Sequence, residues 1–150
     1  MKPRRIFAHW KGVRSDLLAM IDKFEQDELA HVPFEGSRPV GRIMLHIADA
    51  EEGWFRYVVT RELDEWPDQY VLENYPTVAD IKSALTEVHS ATEAYLETLV
   101  EADLEREIEA PWGGVFRLEW IIWHVLEHEI LHRGELSFIL GTLGKKGLDV

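Results

Sequence analysis

The chain has 150 residues, 46% of them hydrophobic, with 28 acidic against 16 basic side chains and a formal net charge of −12. That length and composition fit a single globular domain, residues 1–150, and the acidity opposes both nucleic-acid phosphates and anionic membrane surfaces. With no cysteine, disulfides, thiolate metal sites and a protein thiol nucleophile are excluded, and any metal must take His, Asp or Glu ligands. No apolar run reaches the ~18 residues that suggest a membrane span, and the basic start lacks the apolar run of a signal peptide. A cytoplasmic protein with no membrane and no nucleic-acid partner is the expectation.

In chain order, the first helical pattern covers residues 5–29, where Ile6, Val13, Leu17, Met20, Ile21 and Phe24 recur at helical spacing. Pro33, Gly36 and Pro39 mark a loop. A second helix is predicted over residues 40–63, with Ile43, Ile47, Ala50, Trp54 and Tyr57 on one broad face. Pro67 and Pro76 bracket the next connection. Thr77 with Asp80 three residues on predicts an N-cap for a third helix carrying Ile81, Leu85, Val88, Tyr95 and Leu99. The stretches Glu107-Ile108-Glu109 and Val115-Phe116-Arg117 flank Pro111-Trp112-Gly113-Gly114 and suggest a small hairpin. A fourth helix is predicted over residues 118–143, with Gly144 placed to end it. Four long amphipathic segments without a convincing sheet predict an all-α, up-down four-helix bundle.

The fourth helix carries His128-Glu129-Ile130-Leu131-His132. Imidazoles four residues apart lie about 40° apart and about 6 Å along the axis, so both can reach one ion. Ile121, Val125, Leu136 and Ile139 share their direction, which sets both histidines in an apolar stripe. Two core-edge histidines bonded to carboxylates are the structural alternative. His124, one turn earlier, gives a second possible pair with His128, and spacing alone does not choose between His124 and His132. A three-ligand site needs a histidine from another helix. Among His9, His31, His46 and His89, His46 stands out, because Ala50 and Gly53 on its face are small and leave space for an ion. Trp54 and Tyr57 are the candidate walls of that space.

The segments Leu45-His46-Ile47-Ala48-Asp49-Ala50-Glu51 and His124-Val125-Leu126-Glu127-His128-Glu129, continuing to His132-Arg133-Gly134-Glu135-Leu136, resemble the DinB-like family along essentially the whole chain. The His-Arg-Gly step is the most specific part. The resemblance implies a commonly dimeric four-helix bundle with three histidines around a divalent metal. Carried onto this chain, it implies His46, His128 and His132 as ligands, so it selects His132 over His124. Relatives in that superfamily include transferases that use bacillithiol, mycothiol or glutathione, and a mycothiol-dependent maleylpyruvate isomerase.

Three functional readings follow. One is a metal-dependent transferase acting on a small-molecule substrate, with a low-molecular-weight thiol as cosubstrate. Another is a metal-dependent hydrolase with Glu129 or Asp49 as base. The third is a non-catalytic metal- or ligand-binding stress protein. A zinc peptidase fits poorly, because the downstream positions for its Gly and third His hold Glu135 and Phe138. Three imidazoles suit zinc or nickel first, then iron, manganese or copper. Glu135 is placed to accept an imidazole N–H. The fourth helix is apolar nearly all round, which predicts a homodimer.

Overall fold

The computed structural model describes residues 2–149. In chain order these form α1 (Pro3–Ile6), α2 (His9–Ile21), a 3-10 turn (Gln26–Ala30), α3 (Val40–Glu52), a π-helical continuation (Gly53–Val59) and α4 (Val78–Thr98). A second 3-10 turn (Glu101–Glu105), β1 (Glu107–Glu109), β2 (Val115–Arg117) and α5 (Leu118–Thr142) complete the chain. Among the described residues, no helix is long and apolar enough to cross a membrane.

Local chemistry sets the boundaries. The Asp80 N–H donates to Thr77 Oγ1 at 3.1 Å while the Thr77 N–H donates to Asp80 Oδ2 at 3.1 Å, so α4 starts at a reciprocal cap. Gly144, at φ +75°, follows the end of α5. The single first helix expected over residues 5–29 is divided instead. Glu25 is extended, and its N–H donates to Glu28 Oε1 at 2.6 Å, so a separate 3-10 turn begins there. The small hairpin is present, with Ile108 opposite Phe116, and its loop uses positive φ at Gly113 and Gly114.

α3 packs along α4 and α5, and α2 along α5 and α4. Pairing across these seams sets the directions. Trp10 and Asp16 of α2 meet Glu129 and Arg133 of α5 in the same order, so those helices are parallel. Glu51 meets His89 and Phe55 meets Tyr95, so α3 and α4 are parallel too. The four-helix bundle therefore runs up, down, down, up. The alternation expected from sequence holds for the first and last connections and not for the middle one. Residues 60–77 carry the chain back along α3. Gly53 and Gly41 have no room for a Cβ, because Trp66 and Leu72 of this connection press against them. Between those two contacts, Tyr70 donates to Glu52 at 2.5 Å.

The core has two apolar halves. One gathers Leu17, Ile21, Met44, Leu85 and Leu136, and the other Val13, Phe55, Leu96, Ile121 and Leu126. A polar layer separates them, with one residue from each long helix: Arg14, Glu51, His89 and Glu129. The Arg14 guanidinium donates to Glu129 Oε1 at 2.8 Å, Glu51 Oε2 at 2.5 Å and the Leu85 carbonyl at 2.6 Å. Trp10 Nε1 donates to Glu129 Oε2 at 2.6 Å, and His89 Nδ1 lies 2.8 Å from Glu51 Oε1. Burial alone would raise the Glu51 carboxyl, but the Arg14 charge and the hydrogen bond from His89 hold it below the ordinary value.

Candidate metal centre

α3 and α5 are antiparallel neighbours, and their facing sides bring His46 against His128 and His132. His128 Nε2 lies 3.0 Å from His46 Nε2 and 3.1 Å from His132 Nε2. The outer nitrogens are engaged elsewhere: His46 Nδ1 with Asp49 Oδ2 at 3.1 Å, His132 Nδ1 with Glu135 Oε2 at 2.7 Å. Those carboxylates call for Nδ1–H tautomers, which leaves an Nε2 lone pair on each of the two rings. His128 Nε2 carries at most one proton and so can donate to only one of them. At least one of the two short contacts therefore sets lone pair against lone pair. A cation at the centre relieves that repulsion.

The spacing agrees. Nitrogens bound tetrahedrally to zinc at about 2.0–2.1 Å stand about 3.3 Å apart. Burial first, and then the repulsion that a proton on His132 or His46 would add, push the His128 imidazole down to about 3. His128 is thus held neutral, the ligating form, across the ordinary pH range. The His46 side chain is 23% exposed and that of His132 13%, so the cluster is only partly buried. The three histidines fit a divalent ion with a free position.

The remaining candidate residues divide. Asp49 sits beside His46, and Trp66 Nε1 reaches Asp49 Oδ1 at 3.5 Å, the outer limit for a hydrogen bond. Glu129, weighed as a base, is only 1% exposed and has both oxygens turned to Arg14 and Trp10. It belongs to the polar layer because the Arg14 charge is on that side of α5. Trp54 joins Trp66, Trp112, Phe116, Trp120 and His124 in one aromatic cluster, and Tyr57 meets Trp66 and Trp112. The space beside Gly53 is filled by the Trp66 indole and is not open for an ion.

His124 stacks on Trp120 at 4.7 Å and 8°, apart from the three convergent nitrogens. His9 and His31 are exposed. His89, another of the histidines considered for the third ligand, is buried in the polar layer against Glu51. Two residues escaped the sequence reading. Arg14 falls at helical spacing from Trp10 and Leu17, and an arginine inside an apolar stripe is a readable sign of a buried acid partner. Trp66 lies in a connection with no periodic signal.

Comparison with known proteins places this chain and its fold in a family. The uncharacterised protein YizA of Bacillus subtilis strain 168 is 24% identical over 131 residues, covering 86% of this chain and 79% of its own length. A DinB-like protein from Bacillus cereus superposes with a TM-score of 0.80 at 16% identity, over 100% of this chain and 99% of that one. YfiT from Bacillus subtilis, described as a probable metal-dependent hydrolase with an unusual four-helix bundle topology, gives a TM-score of 0.61 at 21% identity, over 89% and 87% of the two chains. A mycothiol-dependent maleylpyruvate isomerase gives 0.62 at 12% identity, over 93% of this chain and 66% of that one. A sequence profile of the DinB superfamily matches residues 9–136, and the chain belongs to that superfamily.

Proposed function

We propose that His46, His128 and His132 hold a divalent ion, zinc or nickel first, and that the chain is a metal-dependent enzyme transferring a low-molecular-weight thiol to a small electrophile. The observation that carries this reading is the convergence of three Nε2 atoms in a partly exposed cluster. An ion held there would supply Lewis acidity and lower the pKa of a thiol or water in its free position. Asp49 and Glu135 orient two of the imidazoles through their Nδ1–H groups. The aromatic cluster around Trp54 and Trp66, with Trp112 and Trp120 half exposed, offers an apolar wall to the electrophile. The absence of cysteine suits a scheme in which the cosubstrate brings the sulfur, and the likeness to a mycothiol-dependent isomerase supports it.

Hydrolysis is the second reading, favoured by the likeness to YfiT. Glu129 is turned away to Arg14 and Trp10, which leaves Asp49, beside His46, as the candidate base. A non-catalytic metal-binding role remains the third, and the exposed side of the cluster speaks against it.

The outward face of α5 supports a homodimer. Trp123, Leu131 and Phe138 are 47%, 65% and 76% exposed, and Gly134 has open space where a Cβ would stand. A second copy of α5 would cover this face.

The test is metal analysis of untagged protein, with single variants alongside. Wild type should hold about one ion per chain, and His46→Ala, His128→Ala and His132→Ala should lose it. Full occupancy in His46→Ala would defeat the site. On Co²⁺-loaded protein, added bacillithiol, mycothiol or glutathione should shift the visible absorption. No shift with any of the three favours hydrolysis.

A further inference from the structure

A cavity of about 460 Å³ opens between α4, the π-helical segment and the middle connection. It shares no residue with the histidine cluster. Glu52, on its wall, stands about 120° around α3 from His46, so the two sites occupy different faces of that helix. Such a volume is within the range of small-molecule pockets.

Its lining is specific in character. Phe55, Tyr70, Tyr75 and Tyr95 are aromatic, with Tyr70 stacked on Tyr75 at 5.6 Å. Glu52, Glu62 and Glu87 face one cation, Arg56, leaving an excess of two negative charges. Arg56 is already committed, donating to Glu52 at 2.6 Å and Glu62 at 3.0 Å. Glu52 is only 8% exposed and also accepts from Gln69 at 2.9 Å and Tyr70 at 2.5 Å. Burial and the Glu52 carboxylate raise the Tyr70 phenol well above its ordinary value, so its hydroxyl stays a donor.

Thr60 on the wall and its chain neighbour Arg61 add two further features. Thr60, the residue that ends the π-helical segment, has a hydroxyl oxygen buried without a partner, a condition that calls for explanation in a folded protein. Its neighbour Arg61 holds φ +59°, uncommon for any residue with a side chain. Single-turn π segments and backbone outliers cluster at functional sites.

We infer that this cavity binds a small organic ammonium ion, its charged head among Glu52, Glu87 and the Thr60 hydroxyl and its apolar body against Tyr75 and Tyr95. An anion would meet three carboxylates and no free cation on the wall, since Arg56 is held by Glu52 and Glu62. A neutral molecule would leave the negative excess uncompensated. An ammonium head gains from the carboxylates and from the aromatic faces together.

The experiment is calorimetric titration of metal-loaded protein with phenethylammonium, using 2-phenylethanol as the neutral counterpart. Phenethylammonium should bind one per chain, roughly tenfold tighter than the alcohol, as expected for about 1.4 kcal/mol from one exposed ion pair and one cation–π contact. The rim variants Glu87→Gln and Thr60→Val should weaken it several-fold while leaving the fold intact. Glu52→Gln disturbs a buried network, so the rim variants carry the conclusion. His46→Ala should leave binding unchanged, which separates this cavity from an amine captured at the metal. Failure of the metal reading would therefore leave the inference standing. Equal affinity for the alcohol, absence of saturable binding, indifference to both rim variants, or loss in His46→Ala would each overturn it.

Discussion

Among the described residues, two clusters bring three histidine or carboxylate ligand atoms within 4.8 Å of one another: Glu51 with His89 and Glu129, and His46 with His128 and His132. Residue type does not separate them; neutralisation does. In the first, Arg14 stands where a cation would, and it forks between both carboxylates. In the second, Asp49 and Glu135 attach to the far sides of the rings, and the near sides present lone pairs to one another. The first cluster is sealed, with Glu129 at 1% exposure, whereas the second is partly open. A charge already supplied by the chain makes a structural joint. A charge still wanted makes a binding site.

Removing the guanidinium is the strongest way to break this contrast. Arg14→Leu strands two carboxylates in the core and should cost about 3–5 kcal/mol in urea unfolding, while metal stoichiometry of the folded fraction stays at the wild-type value. Retained stability would mean that the layer is not held by Arg14. Next in size are Asp49→Asn and Glu135→Gln. Each should lower metal affinity about 10–100-fold in competition with a chelator, with little change in the stability of the metal-free protein. A stability loss as large as that of Arg14→Leu would erase the distinction between the clusters.

Acid probes the joint more gently. The folded-state value of Glu51 lies below its ordinary 4.5, so protons favour the unfolded chain. Its stabilisation is complete above about pH 4.5 and is lost as pH falls through the depressed folded value. The urea midpoint should therefore drop on acidification, and drop less in Glu51→Gln. An equal drop in both would remove Glu51 from the acid response. The smallest effect belongs to His124→Ala. It removes a stack on Trp120, and metal content should not change.

Much of this was legible where a local rule governs a local outcome. Thr77 and Asp80 announced the start of α4, the paired glycines announced the hairpin, and the His128–His132 spacing placed both rings on the face that meets His46. What escaped depends on partners remote in sequence. The parallel pairing of α3 with α4 is made by a long connection whose anchors, Trp66 and Leu72, lodge at Gly53 and Gly41. Gly53 could be read as space, but the indole that fills it lies in an aperiodic stretch. The role of Glu129 was hidden for the same reason, because its cation is 115 positions away on α2.

That separation has a consequence for synthesis. Arg14 leaves the ribosome 115 residues ahead of its principal acceptor Glu129. Until then the growing chain carries an arginine in an apolar stripe with no carboxylate of α5 to meet it, and α3 and α4, being parallel, do not close as a local hairpin. The bundle is thus held open until its last long helix emerges. Nascent chains halted before Glu129 are expected to stay sensitive to protease, and those extended through α5 to become resistant in one step.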